Sequence, residues 1–131
     1  PLETTQIEFQ GQSVTIPTKE EILRIKAALI LKRNATRDYL DFAALSDQLG
    51  EDQTIHALRD LDQLYPQPNG ESALQQLQIQ FSNPLPYDLE ETKLPEYKNL
   101  DAKWHHWAVV KQACAHIGRL LLDKIRGSSE E

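Results

Sequence analysis

The spacing of the apolar residues changes once, at Pro17, and this change constrains the fold more than any other feature of the sequence. Before it, Ile7-Glu8-Phe9 and Val14-Thr15-Ile16 alternate apolar and polar residues, the pattern of half-buried strands. Gln10-Gly11-Gln12-Ser13 predicts the turn between them, with Gly11 free to take a positive φ. We therefore expect a β-hairpin. Because an isolated two-stranded hairpin is marginal in water, it must pack on the rest of the chain or extend another sheet.

After Pro17 the apolar residues recur at steps of three and four, which predicts α-helices. Thr18 followed by Glu21 forms a capping-box pattern and predicts that the first helix begins here and runs to about Arg33. Further helices are predicted over residues 36–49, 52–64, 71–81 and 101–126. The predicted fold class is mostly α, with an N-terminal β-hairpin followed by a bundle of about five helices, the last one long.

A chain of 131 residues and 15.0 kDa is the size of one domain. We predict a single helical domain over residues 1–126, with the hairpin at 1–17 and a polar tail at 127–131 that should fray. Residues 82–100 contain three prolines and several acidic groups and are predicted to form an irregular loop, which serves either as a surface crossover or as a binding segment. The absence of methionine and the initial Pro1 raise the expectation that the chain is a piece of a longer protein.

The net charge is −6, and residues 51–100 are the acidic part, with 9 acidic and 3 basic groups. This balance disfavours nucleic-acid binding by the chain alone. The single cysteine, Cys114, excludes an intramolecular disulfide and is predicted to be a buried hydrophobe. With no secretory signal and no long apolar run, the sequence predicts a cytoplasmic protein that makes no membrane contact.

The four histidines do not predict a metal site. His105 and His106 are neighbours on a predicted helix and diverge by about 100°. His116 follows ten residues later, too far along the axis to share an ion with them. The prediction for metal ligands is therefore none.

Charged residues gather around the predicted corner between the first two helices. Lys26 lies four residues after Ile22 and three before Leu29, which places its charge on or beside the apolar stripe. The other charged groups of the corner are Arg33, Arg37, Asp38 and Asp41.

Two interpretations of this corner remain open at the level of sequence. In the structural one, Arg33 or Arg37 pairs with Asp38 or Asp41 and locks the two helices together. In the functional one, Lys26 is held for a phosphate group, and the aspartates orient it or help with a metal. Spacing alone does not choose between them.

The order strand, turn, strand, then T-x-E-E-I-L followed by Lys26, then R-D-Y-x-D-x-x-x-L from Arg37 to Leu45, resembles the AbiEii-type nucleotidyltransferases over about residues 5–49. These are toxin components of bacterial abortive-infection and toxin–antitoxin systems. The resemblance implies that Lys26 and Asp38 are catalytic and that Lys26 and Arg33 contact the substrate phosphates. It gives Arg37 and Asp41 a supporting role at the corner.

The paired aspartates that such enzymes use to hold Mg²⁺ are missing from this sequence. The first D-x-D is Asp60-Leu61-Asp62, inside a predicted helix, where residues i and i+2 point apart. The chain is therefore not expected to be catalytic alone, and Mg²⁺ and NTP are expected only if an upstream catalytic half is present. Either that half lies outside this sequence or the chain is a reduced relative without catalysis.

The predicted function is accordingly the C-terminal helical part of an AbiEii-like nucleotidyltransferase that transfers NMP from NTP. Its expected partner is the upstream catalytic domain or another protein such as an antitoxin. The alternative, from a different class, is a non-catalytic helical module of an uncharacterised bacterial protein. It would bind a protein partner through the acidic middle of the chain and the proline-rich loop.

Overall fold

A computed structural model of the chain describes residues 2–92, 94 and 101–130 and begins with an antiparallel hairpin. Strands β1 (Thr4–Phe9) and β2 (Gln12–Pro17) pair with Ile7 opposite Val14. The turn residues Gln10 and Gly11 have φ of 52° and 79°. Two consecutive positive φ values define the two-residue primed turn whose twist matches that of paired strands. The predicted hairpin is confirmed.

Helices make up most of the rest of the described chain, so the predicted mostly α fold class is confirmed. A short 3-10 turn at Leu89–Glu91 lies in the proline-rich loop, and a second at Ala102–His105 precedes the last helix. The α-helices are α1 (Lys19–Arg33), α2 (Thr36–Leu49), α3 (Glu51–Leu58), α4 (Leu61–Leu64), α5 (Ala73–Ser82) and α6 (Trp107–Glu130).

The helix predicted over 52–64 is two helices, because the chain breaks at Arg59 and Asp60. The Arg59 N–H donates to the carbonyl of His56, a tight final turn, and the Asp60 carbonyl then accepts from the N–H groups of Gln63 and Leu64 to start α4. After this break, the side chain of Leu64 at the end of α4 is exposed to solvent.

The last predicted helix, 101–126, is also interrupted. His106 is extended, with φ −115° and ψ 115°, and it separates the 3-10 turn from α6. At its other end α6 continues to Glu130, so the backbone of residues 127–130, which the sequence predicted to fray, is helical. Parts of the predicted loop, residues 93 and 95–100, lie outside the described residues.

The core forms where α5 and α6 pack on α2. Phe42 of α2 contacts Phe81 of α5 with ring centroids 5.0 Å apart, and Tyr39 meets Trp107 edge to face at 6.0 Å. A Cβ atom at Gly118 would lie 2.8 Å from the Cβ of Phe81, so the glycine is what allows α5 and α6 to approach this closely. The apolar seam of α6 follows the predicted spacing and consists of Val110, Cys114, Ile117 and Leu121.

Among the described residues, no helix combines the length and apolarity that crossing a membrane requires.

Candidate functional site

The buried aspartate at the start of α2 is paired with the last residue of α1. Asp38 is fully buried, and its two carboxylate oxygens accept from Nε and Nη2 of Arg33 at 3.1 and 2.6 Å. Arg33 itself remains half exposed. The hydrogen bonds that Arg33 donates to Asp38, together with the negative charge of that carboxylate, raise the pKa of the Arg33 guanidinium above its usual value. This two-pronged contact fixes the direction of α2 relative to α1.

Lys26 forms a second ion pair across the same two helices. Its Nζ lies 2.9 Å from Oδ2 of Asp41, and both side chains are about three-quarters buried. Nε of Arg37 approaches the same oxygen at 3.8 Å from the solvent side. The lysine therefore lies beside the apolar stripe, as predicted, with its charge balanced inside the chain.

This geometry supports the structural interpretation of the corner, because each of its two aspartates is engaged by at least one cation. No group of three or more potential metal ligands occurs in the part of the chain that the structure describes. Catalysis by Lys26 and Asp38, and phosphate contact by Lys26 and Arg33, remain predictions from sequence.

The proline-rich loop docks on this corner through Asn34. This residue ends α1 in the left-handed conformation, with φ 49°. Its side-chain amide donates to the carbonyl of Leu85 at 2.8 Å, and its backbone carbonyl accepts from the N–H of Tyr87 at 3.0 Å. The Tyr39 hydroxyl holds the other end of the Asn34 amide at 2.6 Å. The side chain and the backbone of Asn34 thus both hold the loop.

Asp88 of the same loop supplies the cap of α2. The residue before α2, Ala35, has no capping side chain, and Oδ1 of Asp88 accepts from the N–H and the hydroxyl of Thr36, each at 2.8 Å. Burial acts to raise the pKa of Asp88, but the hydrogen bonds from Thr36 outweigh it, and the pKa lies below its usual value. The positive end of the helix dipole also stabilises a carboxylate at this position.

The docked loop presents two large side chains to solvent. Leu85 and Tyr87 are 67% and 73% exposed. Pro84, which precedes this pair, and Pro86, which lies between its two members, are buried. The prolines and the Asn34 contacts hold the backbone, so the exposed pair lies on a rigid support. Large apolar side chains held rigidly at a surface are typical of protein-interaction sites.

A buried polar cluster at the base of the hairpin was not predicted from the sequence. Arg24 is nearly fully buried and donates to Oε2 of Glu21 at 3.0 Å and to the carbonyl of Ala57 at 3.1 Å. The backbone N–H of Glu3 donates to the same Glu21 oxygen at 3.2 Å, and the Tyr65 hydroxyl donates to the other. The cluster joins the residue before β1, helices α1 and α3, and the residue that follows α4. The only sequence signal was the Thr18–Glu21 capping pattern, of which Thr18 accepts from the Glu21 N–H as expected.

Burial and hydrogen bonding both shift the pKa values of Glu21 and Tyr65 in this cluster. Burial acts to raise the pKa of Glu21, but hydrogen bonds from Tyr65, Arg24 and the Glu3 backbone outweigh it, so the pKa is lowered. Burial and the adjacent carboxylate raise the pKa of Tyr65 to about 12. The cluster is therefore built for an ionised Glu21 and a neutral Tyr65.

The fold and the corner together define a mostly helical module with internally paired charges and an exposed, docked loop. Its sequence is similar to segments of mycobacterial transport proteins. The heme uptake protein MmpL11 of Mycobacterium tuberculosis is 31% identical over 129 residues, which cover 96% of this chain and 13% of that protein. The mycolic acid-containing lipids exporter MmpL11 of Mycolicibacterium smegmatis is 30% identical over the same length and shares.

A probable transport protein, MmpL11 of Mycobacterium leprae, is 31% identical over 96% of this chain and 12% of its own length. The chain spans about 13% of the length of the curated relatives it matches. No family model matches the chain, and no solved structure matches it.

These relatives correct the family predicted from the sequence. The resemblance to AbiEii-type nucleotidyltransferases covered about residues 5–49, whereas the similarity to the transport proteins covers 96% of the chain. The predicted nucleotidyltransferase function and the toxin–antitoxin context are therefore wrong. The misleading signal was the spacing of Lys26 and Arg37-Asp38, which the structure accounts for by two ion pairs between adjacent helices.

Proposed function

We propose that this chain is a non-catalytic helical module of an MmpL11-like transport protein and that it binds a protein partner through the docked loop. This is the alternative that the sequence left open, and the similarity to segments of transport proteins supports it. The observation that carries the proposal is the display of Leu85 and Tyr87, two exposed large side chains on a loop fastened to the rigid α1–α2 corner.

The extent of the similarity supports treating the chain as one unit. The matched segment of the relatives runs over 129 residues, from the hairpin region into the last helix. A segment that includes the charged corner, the loop and α6 keeps the whole surface together. The relatives named here are transport proteins, so the partner we propose is another part of such a protein.

The charges around the loop favour a basic partner surface. Glu90 and Glu91 follow the exposed pair in the 3-10 turn, and both are exposed. The loop belongs to the acidic part of the chain. We accordingly propose a partner surface with an apolar pocket rimmed by lysine or arginine, since complementary charge steers association. A cytoplasmic location, predicted from the sequence, remains part of this proposal.

The test measures binding of the purified chain to the M. smegmatis exporter from which the matching 129-residue segment has been deleted. We expect binding that is lost in the Leu85→Asp/Tyr87→Asp double variant and weakened as salt concentration rises. The full-length exporter should bind more weakly, because its own segment occupies the site.

The matched control is Ile79→Asp, which places the same charge at an exposed apolar residue of α5 outside the loop. It should bind like the wild type. Equal binding by the double variant and the wild type, or no binding to the deleted exporter, would contradict the proposal.

A further inference from the structure

The hairpin carries an apolar face that the described chain leaves uncovered. Paired residues of an antiparallel ladder lie on the same face, so Ile7, Val14 and Phe9 share one side of the hairpin. They are 42%, 37% and 61% exposed. The opposite side is polar, and there the Gln6 amide donates to Thr15 and accepts from Ser13. Such alternation is typical of a sheet with one covered face.

The two edges of the hairpin differ in their ability to accept another strand. β2 contacts α1 and ends at Pro17, which has no N–H to donate. β1 contains neither proline nor lysine, the residues that commonly protect an exposed edge. Within the described residues the sheet has only these two strands, so β1 is an open edge.

The outward-facing backbone groups of β1 follow from its turn. A two-residue turn closes on a hydrogen-bonded pair, here Phe9 and Gln12, and the pairs alternate from there. The N–H and C=O groups of Gln6 and Glu8 therefore face away from β2.

We propose that β1 pairs antiparallel with β1 of a second copy of this chain, with the two-fold axis passing at Ile7. This register places Gln6 of each copy opposite Glu8 of the other, an amide donor facing a carboxylate acceptor. Ile7 then faces Ile7 of the second copy in a non-hydrogen-bonded pair, where side chains approach most closely. Phe9 faces Thr5 of the second copy, and no like charges are opposed.

A second copy is the occupant because the edge is complementary to itself in this register. Moving the axis to Glu8 would oppose two carboxylates, and moving it to Gln6 would place Ile7 opposite Thr5 and Phe9 opposite the Glu3 carboxylate. Moving it to Thr4 would carry Ile7 and Phe9 beyond the partner strand altogether. Centred on Ile7, roughly four backbone hydrogen bonds form between Gln6 and Glu8 of the two copies. The two apolar patches merge around the axis, each on the order of a few hundred Å².

The base of the hairpin makes this surface available in a fixed direction. Glu3, the residue before β1, is bound by Thr18, Arg24 and Glu21 at the start of the helical body. The edge is therefore held in place before association. The buried area is below the roughly 800 Å² per partner of a standard interface, so the dimer should dissociate on dilution. It uses a different surface from Leu85 and Tyr87.

The experiment is sedimentation velocity of the 131-residue chain over a hundredfold range of concentration. We expect the wild type to shift from monomer to dimer across this range and Ile7→Lys and Ile7→Glu each to remain monomeric. An equimolar mixture of these two variants should regain the dimer, because opposite charges then meet at the axis. The matched control is Val14→Lys, a change of similar exposure on the same face but one strand away, and it should keep most of the association.

A second measurement, disulfide cross-linking, detects a dimer that is too weak to be observed by sedimentation. The Ile7→Cys variant should cross-link to dimers under mild oxidation at least tenfold faster than Val14→Cys, while the fully buried Cys114 stays unreactive in both. A wild type that is monomeric throughout with equal cross-linking at both positions overturns the proposal. So does a Val14→Lys variant as disruptive as Ile7→Lys, or a mixture that stays monomeric.

Discussion

The α1–α2 corner and the β-hairpin use their side chains in opposite ways. At the corner, Asp38 and Asp41 find their cations within the same chain, and a loop fifty residues away in sequence completes the cap of α2. In the hairpin, Ile7 and Phe9 find no cover among the described residues. The sequence left open whether the aspartates of the corner are paired, and the structure pairs both of them. The alternation predicted half-buried strands, and the structure leaves Ile7 and Phe9 exposed. The two surfaces that we propose for interaction accordingly consist of exposed apolar side chains, whereas the charges of the corner are paired within the chain.

Two phenylalanines make the sharpest test of this contrast. Phe42→Ala removes a fully buried ring that packs on Phe81, and it should lower the free energy of unfolding by about 3–5 kcal/mol. Phe9→Ala should change it by about 0.5 kcal/mol or less, because the ring is mostly exposed. Urea unfolding at low protein concentration measures both. A large loss for Phe9→Ala would mean that the hairpin is part of the core.

Asp38→Ala tests the buried end of the corner. The variant removes a fully buried carboxylate and its two hydrogen bonds to Arg33, and we expect a loss of about 2–3 kcal/mol in the free energy of unfolding. Arg37→Ala is the control, since its guanidinium is mostly exposed and should have no measurable effect. An Asp38→Ala protein as stable as the wild type would remove the support for a structural corner.

Acid should weaken the junction between the two regions. The folded pKa of Glu21 is lowered, so its contribution to stability is complete above the unfolded value of about 4.3 and is lost as pH falls through the folded pKa. The wild type should therefore lose more stability between pH 6 and pH 3 than Glu21→Gln does, with Glu21→Gln about 1–2 kcal/mol less stable at neutral pH. Thermal unfolding at several pH values measures the difference. Parallel acid curves for the two proteins would show that Glu21 does not contribute.

Lys26→Ala should have the smallest effect of the series. The partly buried ion pair with Asp41 is worth about 1 kcal/mol or less. Lys26→Gln, which keeps most of the stem, should lose less than the alanine variant if packing contributes. A loss above 3 kcal/mol in the free energy of unfolding of Lys26→Ala would mean that the lysine contributes more to the stability of the corner than its exposure indicates.

Local signals predicted most of the fold. The alternation in residues 7–16 predicted the hairpin, and the Thr18 cap predicted the start of α1, because both features depend on neighbouring residues alone. The breaks at Arg59–Asp60 and at His106 were missed, since no proline or glycine marks them and packing elsewhere in the chain decides them. The long-range partners of the corner were also invisible, because nothing in the sequence says that Asp88 caps a helix 52 residues before it.

The charged corner shows the limit of motif spacing. Lys26, Arg37 and Asp38 lie at the spacing of a catalytic motif. The same spacing suits two ion pairs between α1 and α2, Lys26 with Asp41 and Arg33 with Asp38. Only the partners distinguish the two, and partners are a property of the fold. The exposure of Ile7 and Phe9 was likewise not predictable, because alternation says which side is apolar and not whether anything covers it.

The position of α6 at the end of the described chain has a consequence for synthesis on the ribosome. α6 covers the apolar faces of α2, α3 and α5, and it is made last of the four. At translation rates of about 5–20 residues per second, the ribosome completes α6 on the order of several seconds after it completes α2. Until α6 emerges, Tyr39 and Phe81 lack the contacts that Trp107 and Gly118 of α6 make with them, and the uncovered apolar faces favour aggregation of the nascent chain. The folding of this module is therefore expected to be decided after its last helix emerges, however early its first helices form.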